Sequence, residues 1–457
     1  MKSLSIRDIV NAVSGELLCG NENQLISSIV TDSKKVINNS LFVPIKGEKV
    51  DAHKFINDAF KLGAKATFTQ YKNLASNSGT YILVEDSKKA LQKLASFYRD
   101  KFNVPVIGIT GSVGKTTTKE MVACALSYGG KVMKTKGNQN SQIGLPLTLF
   151  RLEDDDDFAV VEMGMSEFGE MQRLAKVAKV NRAIITNIGI SHIENLKTQE
   201  NIRNEKLHII DCFNKNDTLF LNGNDPLLHA LEGALDVKTV FFGTEEFCDY
   251  RAVNITSTET STEFTLVSEK YNTKVSIPTI GMHNVFNALA SIAVAVDVGL
   301  DIDTILEGLN TFKQPDMRQQ INRTGYITLI DDSYNASPDS IKSGINVLKT
   351  IQKNNRSIAV IGDMLELGEH SYHAHSALGE YLAEKNIDIV VTIGNESKAI
   401  VDGVKSKSQN IIAKSFNSNC EAIDYLDQII KKNDTLIVKG SRGMHTDEIV
   451  NYLLENY

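Results

Sequence analysis

The sequence predicts an α/β protein of three domains, on three observations. The chain has 457 residues, and a single core rarely grows past about 300. Its apolar runs are β-branched, do not alternate with polar residues and are separated by helical stretches. A parallel sheet covered by helices on both faces requires that pattern. The rhythm stops near Pro315 and restarts, and it is absent from the first part of the chain. The expected domains are 1–100, 101–313 and 314–457.

The first domain holds short elements such as Leu41-Phe42-Val43-Pro44-Ile45, with turn residues between them. It ends in an amphipathic helical pattern at Leu91, Leu94, Ala95 and Tyr98, so it reads as a small separate α/β unit. The central domain opens with the run 104–110, and further runs stand at 158–163, 183–188 and 218–221. Helices are expected over 116–126 and 167–178. The segment 252–277 is rich in Thr and Ser and alternates (Ile255, Phe264, Leu266, Val275, Ile277), which predicts antiparallel hairpins at the edge of this domain. Thr311-Phe312-Lys313-Gln314-Pro315 reads as a linker, because a helix cannot readily run into proline. The third domain repeats the strand–helix pattern, with strands at 327–330, 357–361, 387–393 and 435–438 and helices over 337–350 and 374–385. That is a Rossmann-like α/β unit. No repeat at solenoid spacing is present.

Composition narrows the function. The hydrophobic share is 42% and the charged share 23%, which excludes a disordered or collagen-like chain. A net charge of −7 argues against nucleic acid as a partner, since that needs a basic face. Cys19, Cys124, Cys212, Cys248 and Cys420 are scattered with no CxxC pair, so neither a disulfide framework nor a zinc site is expected. The opening MKSLSIRDIVNAV lacks a signal-peptide core, and no run approaches about 18 apolar residues. The expectation is a cytoplasmic protein with no membrane span, acting as a monomer.

The strongest local signal is Gly111-Ser112-Val113-Gly114-Lys115-Thr116-Thr117, placed between a strand ending at Thr110 and a helix. Glycines let the backbone approach an anion, and the free N–H groups of a helix N-terminus point at phosphate oxygens. Lys115 supplies a point charge, and the Thr116 hydroxyl can reach Mg²⁺. A generic P-loop has glycine five residues before Gly114, but Ile109 stands there. This tighter loop points away from GTPases and small-molecule kinases and toward a narrower group of ATP-dependent ligases.

Other residues say less on their own. Glu162 ends the second run of the central domain, where side chains face the ligand crevice of an α/β sheet. Alone it reads equally well as a solvated strand-end glutamate. His192 follows another strand end, although a lone histidine is more often structural. Lys206, on a helical stretch, reads as an ordinary surface lysine. The cluster Glu366, Glu369, His370, His373 and His375 has no zinc spacing. The acidic run 154–157 reads as a solvated turn, and Cys124 as core.

Taken together, the motifs resemble those of the Mur ligases. Thr110-Gly111-Ser112-Val113-Gly114-Lys115-Thr116-Thr117-Thr118-Lys119-Glu120 resembles their ATP loop, which usually has Asn where Val113 stands. Asp32-Ser33-Lys34, Leu41 through Glu48 and Asp51-Ala52-His53-Lys54-Phe55 resemble their uridine-nucleotide-binding domain. The glycine-asparagine loop matches from Gly137 to Pro146, usually with a further Asn at the place of Ser141. Gly281 to Ala288, Asp331 to Pro338, Gly362 to Gly368 and Gly440-Ser441-Arg442 complete the series along nearly the whole chain.

The resemblance implies an N-terminal domain for the UDP-linked substrate, a central P-loop ATPase domain and a C-terminal ligase domain. It implies that ATP turns a carboxylate into an acyl phosphate, which an amine then attacks. Gly362 to Gly368 fits best the branch that adds D-alanyl-D-alanine to UDP-N-acetylmuramoyl-tripeptide in peptidoglycan precursor synthesis. Sibling ligases adding the third amino acid, folylpolyglutamate synthetases and a scaffold that has lost catalysis are the alternatives. ATP would meet residues 110–117, Asn138, Asn284, Asn287, Arg318 and Asp332. Of these, Asn284 and Asn287 would lie on the adenine side, Asp332 at the ribose, and Arg318 at the phosphates from the third domain. The uridine nucleotide would meet Ser33, Lys46 and Gly47, and the dipeptide Asn335, Ser441 and Arg442. Mg²⁺ would be held by Thr116 and Glu162, and a second ion by His192 and by Lys206 once carbamylated by CO₂. Lys115, Glu162, His192, Lys206 and Arg318 would form the catalytic set, with closure of the third domain excluding water.

Overall fold

The computed structural model describes residues 1–457. It contains three large sheets along the chain. The first has five strands in the order Glu16–Cys19, Thr80–Leu83, Ala64–Thr69, Ser40–Phe42, Ser28–Val30. Only its first pair is antiparallel. The helix Ser87–Arg99 carries the expected apolar face, with Leu91, Leu94, Ala95 and Tyr98 buried. That face packs against the central unit. Tyr98 donates to Leu152 O at 2.7 Å, and Arg99 Nε to Ala178 O at 3.2 Å.

The central sheet has nine strands, and the order explains their sequences. Val106–Thr110 lies inside, between Phe158–Glu162 and Arg182–Ile185, all parallel. Its side chains divide between two apolar clusters. Ile107 and Ile109 face Met121, Val122, Leu289 and Ala293, whereas Val106 belongs with Ala159, Leu174 and Ala178. Both faces are covered, so both must be apolar, which is why no alternation is visible. The expected hairpins are Tyr250–Ser257, Thr262–Val267 and Asn272–Ile277, antiparallel at one edge of this sheet. There one face packs on the core and the other is solvated.

The C-terminal sheet runs Gln320–Arg323, Thr328–Asp331, Thr435–Lys439, Ser357–Gly362, Ile389–Ile393, Ile412–Phe416. All but the first pair are parallel. The segment between the central and C-terminal sheets leaves the helix Ile302–Asn310 and takes left-handed backbone at Met317 and Gln319, φ 58° and 54°. No helix is long and apolar enough to cross a membrane.

Some expectations are corrected. The strand expected over 183–188 ends at Ile185, because the next side chains turn to the phosphate loop: Thr186 Oγ1 donates to Val113 O at 2.6 Å and Asn187 Nδ2 to the same oxygen at 2.9 Å. The helix expected from residue 167 starts at Glu170, after left-handed Gly169. Within the acidic run Asp156 is buried and accepts from Glu153 N at 2.8 Å, so the turn is not wholly solvated. Lys206 is not a surface lysine, being 2% exposed. His375, fully buried, accepts from Met364 N at 3.0 Å through Nε2, a core role.

Candidate active site

The site lies where the carboxyl ends of the central and C-terminal sheets face each other, the position at which open α/β sheets bind ligands. The loop after Val106–Thr110 turns at Gly111 and Gly114, both with positive φ, 146° and 87°. A Cβ on Gly111 would stand 1.9 Å from Thr186 Oγ1, so only glycine fits that turn. Gly114 caps the helix Lys115–Leu126, whose N-terminus opens into the cleft.

Lys115 folds back and donates to Gly111 O at 2.7 Å and Ser112 O at 3.3 Å. Burial pushes its amine down; Glu162 opposes that, and the Arg318 charge adds to it. Thr116 Oγ1 donates to Glu162 Oε2 at 3.0 Å, and Asn140 Nδ2 to Glu162 Oε1 at 2.7 Å. Glu162 is 2% exposed. Its N–H donates to Thr135 Oγ1 at 3.0 Å, which fixes the strand end carrying the carboxylate.

Across the cleft, Arg318 stacks on Tyr334, 4.0 Å from guanidinium carbon to ring centre, and its Nη2 reaches Thr116 Oγ1 at 3.5 Å. Arg318 Nε is buried without a partner. His192, in left-handed backbone, places Nδ1 2.5 Å from Glu366 Oε2. That contact holds the Glu366 carboxyl below the ordinary glutamate range.

Two cavities of about 430 and 350 Å³ share Val113, Gly114, Arg318 and Ser340. The larger gathers Ser112, Lys115, Thr116, Asn138, Glu162, His192, Asn335, Ser441 and Arg442. The smaller gathers Thr117, Asn287 and Asp332. Seven of the expected residues line neither, Gly111 at the turn of the loop among them. Ser33, Lys46 and Gly47 lie on the first unit. Thr110 is buried at its strand end, and Asn284 is 0% exposed, donating to Thr279 Oγ1 and Ile280 O. Asn284 Oδ1 accepts from Asn287 Nδ2 at 3.2 Å and so orients the asparagine that does line the cavity. Lys206 is the last of the seven. Its amine is pushed well below the ordinary lysine range, chiefly by burial and then by the Lys115 charge. Neighbouring Glu205 does not neutralise it by contact, because that carboxylate accepts from Gly169 N and Met171 N, each at 2.9 Å.

Several residues at the site went unassigned in the sequence. Lys439 Nζ sits 2.8 Å from Asp332 Oδ2, both buried, and also donates to Asn335 O at 2.9 Å. It ends an apolar strand facing the cleft, the same signal that singled out Glu162. His283 lines the smaller cavity with its imidazole pushed down to about 4 by burial. Asn140 and Glu366 lie inside motifs that were noticed, yet carried no assigned role.

Family models match three successive stretches: "Mur ligase family, catalytic domain" over 25–99, "Mur ligase middle domain" over 109–295 and "Mur ligase, glutamate ligase domain" over 317–442. The chain is 35% identical over 456 residues to the UDP-N-acetylmuramoyl-tripeptide–D-alanyl-D-alanine ligase of Bacillus subtilis, covering 99% of this chain and 98% of that one. The chain belongs to the Mur ligase family. Solved structures agree with the fold of this Mur ligase. MurF from Acinetobacter baumannii superposes with a TM-score of 0.93 at 28% identity, covering all of both chains. MurF ligase from Thermotoga maritima, solved in complex with ADP, gives 0.84 at 30% identity over 94% of this chain and 97% of that one. The three-domain α/β architecture expected from the sequence is therefore that of this Mur ligase.

Proposed function

We propose that this Mur ligase joins D-alanyl-D-alanine to UDP-N-acetylmuramoyl-tripeptide at the expense of ATP, in peptidoglycan precursor synthesis. The carrying observation is the end-to-end likeness to D-alanyl-D-alanine ligases, met by a phosphate loop whose Lys115, Thr116 and Glu162 face Arg318 from across the cleft. The peptide carboxylate attacks the γ-phosphorus, and the bond to the ADP oxygen breaks. The ammonium gives one proton to solvent, the free amine attacks the acyl carbon, phosphate leaves, and a second proton is lost from nitrogen, which keeps one N–H in the amide.

Both reactants of the first step are anions, so cations govern the barrier. Lys115 leaves its loop carbonyls for the phosphates, and Arg318 brings its guanidinium from the far wall, steadied by Tyr334. Thr116 and Glu162 offer hard oxygen donors at the foot of the loop, which suits Mg²⁺, an ion that takes few protein ligands and keeps water and phosphate for the rest. When bound, Mg²⁺ supplies charge that offsets the negative charge growing on the phosphates. Lys206 fits carbamylation: burial and the Lys115 charge push its amine toward the neutral form, and the neutral amine is the form that adds CO₂, giving a carboxylate and releasing a proton. With His192 it would offer a second ion its donors. Asn287 and Asp332 line the smaller cavity as nucleoside contacts, and Asn138 lies on the phosphate side. Ser33, Lys46 and Gly47 serve the uridine nucleotide on the first unit. Both walls of the cleft come from one chain, which supports action as a monomer, and the use of ATP supports a cytoplasmic location.

The test is phosphate release from ATP and Mg²⁺ with UDP-N-acetylmuramoyl-tripeptide, offering D-alanyl-D-alanine, lysine, diaminopimelate or glutamate as the amine. Turnover with the dipeptide alone is expected. Turnover only with a single amino acid on a shorter muramoyl peptide would assign a sibling reaction instead.

A further inference from the structure

The first unit carries a buried histidine outside the ligation chemistry, His53, 5% exposed. The parallel strands Ser28–Val30, Ser40–Phe42 and Ala64–Thr69 lead at their carboxyl ends into three loops. The first loop holds Ser33, the second Lys46 and Gly47, and the third Gln70 and Tyr71. In the second loop Lys46 pairs with Asp51 as an antiparallel bridge, and Gly47 N donates to Val50 O at 3.0 Å. Residues 46–50 of this hairpin are all exposed. Ordering them costs conformational entropy that no apolar burial of their own offsets. Their shape must therefore be held from the foot of the hairpin.

Asp51 Oδ1 accepts from His53 N at 3.0 Å and lies 2.6 Å from His53 Nδ1. Asp51 Oδ2 accepts from the Tyr71 hydroxyl at 3.1 Å. On the other edge of the imidazole, Nε2 is 3.2 Å from Gln70 N. A backbone N–H can only donate, so Nε2 accepts, and Nδ1 carries the proton given to Asp51. The neutral ring thus bridges the hairpin to the third loop. The connection continues: Gln70 Nε2 donates to Glu85 O at 3.2 Å, and Gln70 Oε1 accepts from Ser87 N at 3.4 Å. Ser87 opens the helix that fastens the first unit to the central one. Resting on the reading of Ser33, Lys46 and Gly47 as contacts of the uridine nucleotide, we propose that His53 is the positioning residue of that site. It acts through Asp51 and sets the Lys46–Asp51 hairpin at a fixed place relative to the central unit.

The position suits a histidine. It calls for a donor to a carboxylate on one edge and an acceptor for a backbone N–H on the other, and neutral imidazole offers both on one rigid ring. Asparagine keeps a donor near the place of Nδ1 but not the acceptor, and leucine keeps neither. Tyr71 gives the same carboxylate a second donor and sets its ring edge against the imidazole, centres 4.9 Å apart. The two side chains are therefore coupled through Asp51. Once either is lost the hairpin is already loose, and losing the other adds little.

The experiment uses the full chain with ATP, Mg²⁺, UDP-N-acetylmuramoyl-tripeptide and D-alanyl-D-alanine, with binding of the tripeptide nucleotide followed by calorimetry. His53→Leu should raise the KM and Kd for that nucleotide about 10- to 100-fold, the range of one hydrogen bond to a charged group. Its kcat and its KM values for ATP and the dipeptide should hold. His53→Asn should recover part of the loss. Tyr71→Phe should raise the same KM in the wild-type chain but add less than about twofold to His53→Leu. Tyr71→Phe alone decides the matter if His53→Leu does not fold, and an unchanged nucleotide KM there overturns the proposal. Effects of the two changes that simply multiply also overturn it. So does a His53→Leu enzyme that loses kcat and every KM together, which would make the histidine a general support of the fold. Lys46→Ala separates this proposal from the reading beneath it. Weaker nucleotide binding in Lys46→Ala but not in His53→Leu defeats the proposal alone. Unchanged binding in Lys46→Ala removes the uridine nucleotide from the hairpin, and the proposal falls with that reading.

Discussion

His192 Nδ1 and Glu366 Oε2 lie 2.5 Å apart, joining the central and C-terminal units across the mouth of the cleft. Both residues hold left-handed backbone, which costs a residue other than glycine about 1–2 kcal/mol. The contact itself contributes little. The two side chains are 28% and 59% exposed, and surface pairs of this kind are worth about 0–1 kcal/mol, so Glu366→Gln should leave thermal unfolding within about 2 °C of wild type. A larger drop would mean that the pair holds the fold together and does not merely shape the cleft.

Lys115→Ala should abolish ligation while the protein stays folded. Removing one preorganised charge from a developing anion costs about 100- to 1,000-fold in kcat. Phosphate release and circular dichroism check the two halves of the statement, and near-normal turnover would remove Lys115 from the phosphate site.

Lys206→Ala should cripple activity, and a short carboxylic acid added to the buffer should restore part of it. Independently of activity, ¹³CO₂ should give a carbamate carbon signal by NMR in the wild-type chain and none in Lys206→Arg. Equal signals from both proteins would exclude this lysine.

Lys439 and Asp332 form a buried pair at 2.8 Å. Breaking one side leaves an uncompensated buried charge, at about 3–5 kcal/mol. Lys439→Met should therefore lower the melting temperature by several degrees. The double change Lys439→Met with Asp332→Leu should recover much of that stability without recovering activity, because the loop from Asp332 to Asn335 also loses its tether to Asn335 O.

His283 gives a pH dependence with a definite sign. Its folded pKa is about 4, against about 6.5 for the unfolded chain. Below pH 6.5 the unfolded state takes up a proton that the folded state does not, so stability falls as pH drops from about 6.5 to 4 and then levels off. His283→Gln should remove that part of the slope in urea unfolding measured across the range. An identical slope in both proteins would show that the imidazole is protonated in the fold.

The sequence exposed those parts of the site that the backbone builds. A Gly-Lys-Thr turn between a buried strand and a helix places Lys115 and Thr116 whatever the rest of the chain does. A strand end likewise places Glu162. The hairpins after Tyr250 were legible because a half-solvated strand must alternate. Lys206 and Lys439 were not legible as buried charges, because their burial depends on segments far away in the chain. Glu205, for example, turns from its neighbour to cap the helix Glu170–Ala178. The early end of the strand at Ile185 has the same origin, since Thr186 and Asn187 follow a tertiary demand that local β-propensity does not carry.

The two joints of the molecule are unlike. The helix Ser87–Arg99 fastens the first unit to the central one through buried hydrogen bonds from Tyr98 and Arg99 and an apolar face. Between the central and C-terminal units, by contrast, the polar contacts are partly exposed or long: the His192–Glu366 pair, Glu194 N to Glu366 O at 3.4 Å, Arg318 to Thr116 at 3.5 Å, and Glu259 with Arg323 and Lys353. The first joint is thus the firmer of the two, like the fixed jaw of a vice. The first unit and the phosphate loop share that jaw, and their spacing is set when the chain folds. The wall that carries Glu366 and Arg442 is joined to it by the lighter contacts. A rigid bisubstrate compound therefore has a single adjustable gap to match, the one between the phosphate loop and that wall.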